Sequence, residues 1–155
     1  MSNFCIIVLA AGEGKRMKSD CPKVLHKIGS RPMIDFVVEA ARKTSPKKII
    51  VVVARKRLQV KEALKGDIKV AIQEKQLGTA DAVRSAVRDI PPAAKDVIVL
   101  YGDTPLITPE TVNGLYNYHI EHGASCTVLT TFLENPKGYG RILRNEAGNF
   151  IGIIE

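Results

Sequence analysis

Three runs of this chain are apolar from end to end: residues 4–10 (FCIIVLA), 49–54 (IIVVVA) and 97–101 (VIVLY). A strand with one face in water alternates apolar and polar side chains. A strand apolar throughout needs cover on both faces. Helical patterns separate the runs. Residues 32–43 carry Met33, Val37 and Ala40 or Ala41 on one face, with Pro32 at the start. Residues 58–64 read as a short helix and 68–73 as an alternating strand. Residues 79–88 read as a helix with Ala82, Val83, Ala86 and Val87 apolar. Residues 109–122 form a helix opened by Thr108 as N-cap, Pro109 and Glu110. Residues 125–133 are strand-like. Two further strands, 139–144 and 149–155, flank a turn at 145–148. Strands alternating with helices predict an α/β fold, its sheet mainly parallel and covered on both faces. Ligands of such sheets bind beyond the carboxyl ends of the strands. That rule selects the loop after Ala10, the segment after Gln73 and the loop after Tyr101.

At 155 residues, 45% hydrophobic and 25% charged, the composition suits one globular domain with a real core. The charge is uneven. Residues 1–65 hold 15 Lys/Arg against 5 Asp/Glu, and residues 66–155 hold 8 against 11. The basic half suits an anionic partner, whether phosphates, nucleic acid or a membrane surface; a solvated basic surface is the plain alternative. No run approaches the roughly 20 residues of a membrane span. The apolar run 4–11 has no basic residue between it and Met1, which makes a poor signal peptide. Cys5, Cys21 and Cys126 show no metal-site spacing and fit free thiols in a reducing cytoplasm. His119 and His122, three apart on a helix, make at best a weak metal pair. With 5% aromatics and scattered cations, nucleic-acid binding has no sequence support. There is no internal repeat or linker. The chain stops within an apparent strand, which predicts a single domain over 1–155 that is incomplete at its C-terminal end.

The loop after the first strand reads Leu9-Ala10-Ala11-Gly12-Glu13-Gly14-Lys15-Arg16-Met17, followed by Pro22-Lys23. Small residues let the backbone approach a phosphate chain and offer it N–H groups. Arg16 and Lys23 add charge, with Pro22 holding the chain extended before Lys23. The loop is neither a Walker A motif nor a full dinucleotide fingerprint, because Met17 stands at the third glycine position. A tight strand-to-helix turn accounts for the glycines equally well.

LAAGEGKRM…CPKVL resembles the signature of nucleotide-sugar pyrophosphorylases. QEKQLGTADAV (73–83) is similar to their uracil-contacting segment and VLYGDTPLIT (99–108) to their metal-binding strand end. YGRI (139–142) and GIIE (152–155) are similar to their sugar-contacting strands. The five motifs, in order, resemble the N-terminal uridylyltransferase domain of the bacterial bifunctional N-acetylglucosamine-1-phosphate uridyltransferase/glucosamine-1-phosphate acetyltransferases over the whole length.

The resemblance implies a Rossmann-like nucleotidyltransferase fold. It implies transfer of UMP from UTP to N-acetylglucosamine 1-phosphate with Mg²⁺. Arg16 and Lys23 match the catalytic cations. Leu9, Ala10, Ala11 and Gly12 match the backbone that holds uracil and ribose, and Gly14 lies at the phosphates. Gln73 matches the uracil reader, with Gln76, Gly78 and Thr79 completing that wall; Thr79 as a helix cap is the structural alternative. Asp103 matches the metal ligand, or is a turn aspartate before Pro105. Tyr101, Gly102, Gly140 and Glu155 match sugar-side contacts. The family's sugar-contacting Asn and second metal-ligating Asn have no match in this sequence. Its acetyltransferase β-helix, which builds the homo-oligomer, is absent. Three readings stay open: this uridylyltransferase, a guanylyl- or cytidylyltransferase of the same fold, and a nucleotide-binding unit without turnover.

Overall fold

The computed structural model describes residues 3–14 and 17–154. They fall into two compact units, Met1–Ser125 and Cys126–Glu155.

In the first unit the chain runs β1 (Phe4–Leu9), β2 (Lys27–Ile28), β3 (Arg31–Pro32), α1 (Met33–Lys43), β4 (Ile49–Ala54), α2 (Gln59–Ala63), β5 (Lys69–Gln73), α3 (Thr79–Ala86), β6 (Asp96–Tyr101) and α4 (Pro109–Glu121). The main sheet has the order β5-β4-β1-β6, with every pairing parallel. β2 and β3 form a small antiparallel pair of their own. This is the α/β architecture expected from the apolar runs.

Side chains alternate across the sheet, and the two sets feed two cores. Phe4, Ile6 and Val8 point with Val51 and Val53 to one face, where Ile34, Val37 and Ala41 of α1, Val60 of α2 and Val112 of α4 cover them. Cys5 and Ile7 point with Ile50 and Val52 to the other, covered by Ala82 and Ala86 of α3. Every residue of β4 is buried, and β1 is buried from Phe4 to Val8. At about 25 cal/mol per Å² of apolar surface, these two strands anchor the fold.

Helix ends follow the sequence closely. α1 begins after Pro32, has Asp35 in its first turn and Arg42 and Lys43 in its last, as the helix dipole favours. Thr108 caps α4 by accepting a hydrogen bond from the Thr111 N–H at 3.2 Å. Ahead of α3 the N-cap position is Gly78 and no side chain caps the helix, so Thr79 is its first residue rather than its cap. The helix read over 79–88 ends at Ala86 and tightens into a 3₁₀ turn at Val87–Asp89.

The register positions the site. Leu9 of β1 lies opposite Val52 and Tyr101, and Ala54 of β4 opposite Gln73. The carboxyl ends of β1, β5 and β6 therefore open along one edge of the sheet, and the three segments selected from sequence converge there.

In the second unit β7 (Arg141–Arg144) and β8 (Phe150–Ile154) form an antiparallel hairpin. Asn145 shapes the turn: its Oδ1 accepts from the Asn149 N–H at 2.9 Å, and Gly148 takes φ +80°. Residues 125–133, expected to be strand-like, form no strand. Their apolar side chains stand in solvent, Phe132 fully and Leu129 by more than half. An extended segment becomes a strand only with a neighbour to complete its ladder, and this one joins no sheet among the described residues.

Candidate active site

The cleft at the sheet edge begins where β1 ends. The Ala10 N–H donates to the Val52 carbonyl at 2.8 Å, and the Gly102 N–H donates to the Leu9 carbonyl at 2.9 Å. These bonds fasten the start of the loop to both flanking strands. A Cβ on Gly102 would lie 3.1 Å from the Leu9 oxygen and from Val24 Cγ1. Gly102 is thus buried packing beneath the site, and Ala10, 3% exposed, lies behind its surface with it.

Gly14 takes φ +64°, and a Cβ there would come within 2.8 Å of Lys23 Cβ. The glycine is required twice, by its left-handed backbone and by the close pass of the Lys23 segment. Pro22 is extended at φ −52°, ψ 134°, as expected, and Lys23–Leu25 is a 3₁₀ turn whose Val24 is buried. With Val24 anchored in the core, Lys23 projects from a fixed base. Its Nζ donates to Asp103 Oδ2 at 2.6 Å across 80 residues of sequence. The lysine and aspartate side chains are 39% and 31% exposed. Solvent screens such a pair, so its own contribution to stability is about 0–1 kcal/mol. Its significance is geometric: it brings a cation from the β1 side against a carboxylate from the end of β6.

The opposite wall comes from β5 and α3. Gln73 closes β5 with only 3% of its surface exposed. Its Nε2 donates to Asp81 Oδ2 at 2.8 Å and to the Gly78 carbonyl at 3.3 Å. Gly78, at φ +106° and ψ −178°, has a backbone that other residues avoid. Gln76 donates through Nε2 to the Ala11 carbonyl, tying this wall to the first loop.

The resulting cleft has a volume of about 820 Å³, within the roughly 300–1,000 Å³ usual for ligand sites. Leu9, Ala11, Gly12, Gly14, Lys23, Gln73, Gln76, Gly78, Thr79, Tyr101 and Asp103, all singled out from sequence, line it. Glu13, Met17, Val24 and Ala82 also line it and were not singled out. All four lie inside the motifs LAAGEGKRM, CPKVL and QLGTADAV, which was the signal available. Gly140 lies in the second unit, between the hairpin and its preceding turn. Arg16 and Glu155 lie outside the described residues. The weak histidine metal pair does not form: His122 stacks on Tyr118 with ring centroids 3.9 Å apart, and His119 Nε2 is 3.7 Å from Asp96 Oδ1.

Among the described residues no histidine, cysteine or serine lines the cleft, and no group of three metal-binding side chains occurs. The chemistry on offer among the described residues is positional: backbone and amide hydrogen bonds, the Lys23 ammonium, and the carboxylates of Asp103 and Glu13. Asp103 fits a hard cation such as Mg²⁺, which is commonly held by one or two carboxylates with substrate phosphates and water.

A family model described as the MobA-like NTP transferase domain matches residues 6–146. The chain belongs to this family of nucleotidyltransferases. Within the NTP transferase family it is 50% identical, over all 155 residues, to the bifunctional protein GlmU of Thermoanaerobacter pseudethanolicus, of which it covers 34%. The chain thus spans about a third of the length of that relative. Among solved structures it resembles HddC of Yersinia pseudotuberculosis complexed with GMP-PN, with a TM-score of 0.67 at 20% identity over 97% of this chain and 68% of that one. It also resembles Rv0371c of Mycobacterium tuberculosis in complex with manganese, with a TM-score of 0.63 at 20% identity over 75% of this chain and 59% of that one. At such identities these two likenesses speak to the fold. No helix is long and apolar enough to cross a membrane among the described residues.

Proposed function

We propose that this nucleotidyltransferase chain binds UTP and is the uridylyl-transfer unit that passes UMP to N-acetylglucosamine 1-phosphate, releasing pyrophosphate. The reading rests on one observation above the rest. A single cleft sets the Lys23–Asp103 pair against a wall of two glutamines and a left-handed glycine. Its lining segments resemble the uridylyltransferase motifs, and the 50%-identical GlmU relative is called bifunctional.

In the proposed reaction an oxygen of the sugar phosphate attacks the α-phosphorus in line, and the bond to the pyrophosphate oxygen breaks. A phosphate monoester loses its second proton near pH 6, so the nucleophile is already charged at neutral pH and needs no general base. That matches a cleft without histidine or cysteine. Lys23 balances phosphate charge, and Arg16 is assigned the same task. The backbone of 9–12 seats the nucleoside, Gly14 admits the phosphates, and the wall from Gln73 to Thr79 reads the base. Asp103 would hold Mg²⁺, which when bound offsets the negative charge of the phosphates. Rate enhancement then comes from orientation and charge placement. Tyr101, Gly140 and Glu155 are assigned to the sugar, and a cytoplasmic setting belongs to the same reading.

The sugar-contacting and second metal-ligating asparagines of the resemblance have no match here. Nucleotide binding, which the cleft's own residues carry, is the step to test first. The test is thermal unfolding with Mg²⁺ and each of UTP, CTP and GTP, beside a pyrophosphate-release assay. At a hundred times its Kd, UTP should add about 2.7 kcal/mol, and Lys23→Ala or Asp103→Asn should reduce that gain. Equal stabilisation by the three nucleotides sinks the uridine assignment, and none from any of them sinks the site.

A further inference from the structure

Gln73 is buried to 3% exposure, yet it lines the cleft. A side-chain amide has two faces, an acceptor oxygen and a donor nitrogen, and a base-reading glutamine is selective only if it cannot turn over. Both neighbours of its nitrogen are acceptors. Asp81 Oδ2 is 2.8 Å away and the Gly78 carbonyl 3.3 Å away. Neither can donate, the first as a carboxylate and the second as a carbonyl, so both amide hydrogens are claimed and the oxygen must face the other way. No hydrogen bond from a described residue reaches Oε1. Nor is it sealed in the interior: His26 Nε2 is the one partnerless side-chain atom that is fully buried among the described residues. The free end of the amide is therefore an acceptor open to the cleft.

Asp81 is not on the cleft surface. It sits in the first turn of α3, and the Ser85 hydroxyl donates to its backbone carbonyl at 2.9 Å, which ties it to the helix.

We infer that Asp81 is a specificity-determining positioning residue, locking the Gln73 amide so that its oxygen accepts from a ring N–H and rejects bases whose matching ring nitrogen is a lone pair. Uracil carries an N–H at its ring position 3, where cytosine carries an acceptor. Oxygen facing oxygen-like lone pairs would leave a buried acceptor unpaired, the costly arrangement in a dry site. This inference rests on the uridine reading above and adds the residue that enforces it.

The experiment compares Kd values for UTP, CTP and GTP, all with Mg²⁺, for the parent chain, Asp81→Asn and Asp81→Ala. Asparagine can present either a donor or an acceptor to Gln73, and alanine presents neither, so both remove the shorter of the two anchors and leave only the 3.3 Å contact to the Gly78 carbonyl, which a turned amide need not keep. The UTP-over-CTP preference should fall about tenfold in each, chiefly because CTP binds better, as expected when one buried hydrogen-bond mismatch is relieved. Unfolding of the nucleotide-free variants checks that α3 is intact. Should one variant fail to fold, the other gives the measurement. A merely structural Asp81 would weaken both nucleotides alike and leave the ratio at the parent value, and that outcome overturns the inference. A parent chain that prefers CTP or GTP overturns the uridine reading instead.

Discussion

The two units use similar apolar material to opposite ends. Residues 4–8 and 49–54 are buried almost without exception, whereas no described residue from 126 onward is buried. Yet the second unit is rich in Val128, Leu129, Phe132, Ile151 and Ile153, each exposed by half or more. The difference is layering. β1 and β4 have strands on both sides and helices above and below. Among the described residues β7 and β8 pair only with each other, and a two-stranded hairpin by itself encloses no core. Hydrophobicity sets what a strand can bury, and neighbours set what it does bury.

The sharpest break of this comparison is a pair of substitutions. Ile50→Ala, at a fully buried position, should cost about 2–5 kcal/mol. Ile151→Thr, which keeps a strand-forming side chain at a position 61% exposed, should stay within about 0.5 kcal/mol. Denaturant unfolding of both variants measures the gap, and equal effects would mean that the second unit is held as firmly as the first.

Two left-handed glycines come next. Gly14→Ala meets both backbone strain and Lys23, and should cost about 1–3 kcal/mol together with most of the UTP-induced stabilisation. Gly148→Ala, with no atom within 4 Å of the added carbon, should cost about 1–2 kcal/mol at most and spare UTP binding. Matched losses of UTP binding would contradict the assignment of the phosphate loop to Gly14.

The smallest effect is a pH dependence that belongs to the first unit. Burial raises the Cys5 thiol above its ordinary range. Burial, with the Asp96 carboxylate 3.2 Å from its hydroxyl, raises Tyr116. Groups raised on folding favour the folded state at lower pH, and that contribution is lost as pH climbs through their folded values. Stability should therefore decline above about pH 9, and Tyr116→Phe should flatten the upper part of the decline. Thermal unfolding across that range provides the check.

Most of the first unit was legible from sequence because burial on two faces writes itself as unbroken apolar runs. The capping of α4 was equally plain, since Thr108-Pro109-Glu110 is a local code. The second unit was less so. Residues 125–133 have the composition of a strand, but a ladder needs a partner, and partners are not written locally. The cleft divides in the same way. Glycines and glutamines within ordered motifs were readable one by one. The Lys23–Asp103 contact, made across 80 residues, and the grip of Asp81 on Gln73 depend on how β5, α3 and β6 come together. Thr79 shows the limit from the other side: its type suits a cap, but the chain turns one residue earlier, at a glycine whose backbone only glycine readily adopts.

The central position of β1 carries a consequence for how quickly the protein gains and loses its structure. Its Ile6 lies opposite Ile49 on one side and Ile98 on the other, so its two ladders close loops of about forty and ninety residues. Such distant parallel pairings form slowly. The loop that follows β1 takes its shape only when both are made, because Ala10 and Gly102 fasten it to the two flanking strands. A nucleotide held there would meet a finished sheet and not a forming one. It would leave the refolding rate nearly unchanged and show itself as slower unfolding, prolonging the life of the native chain.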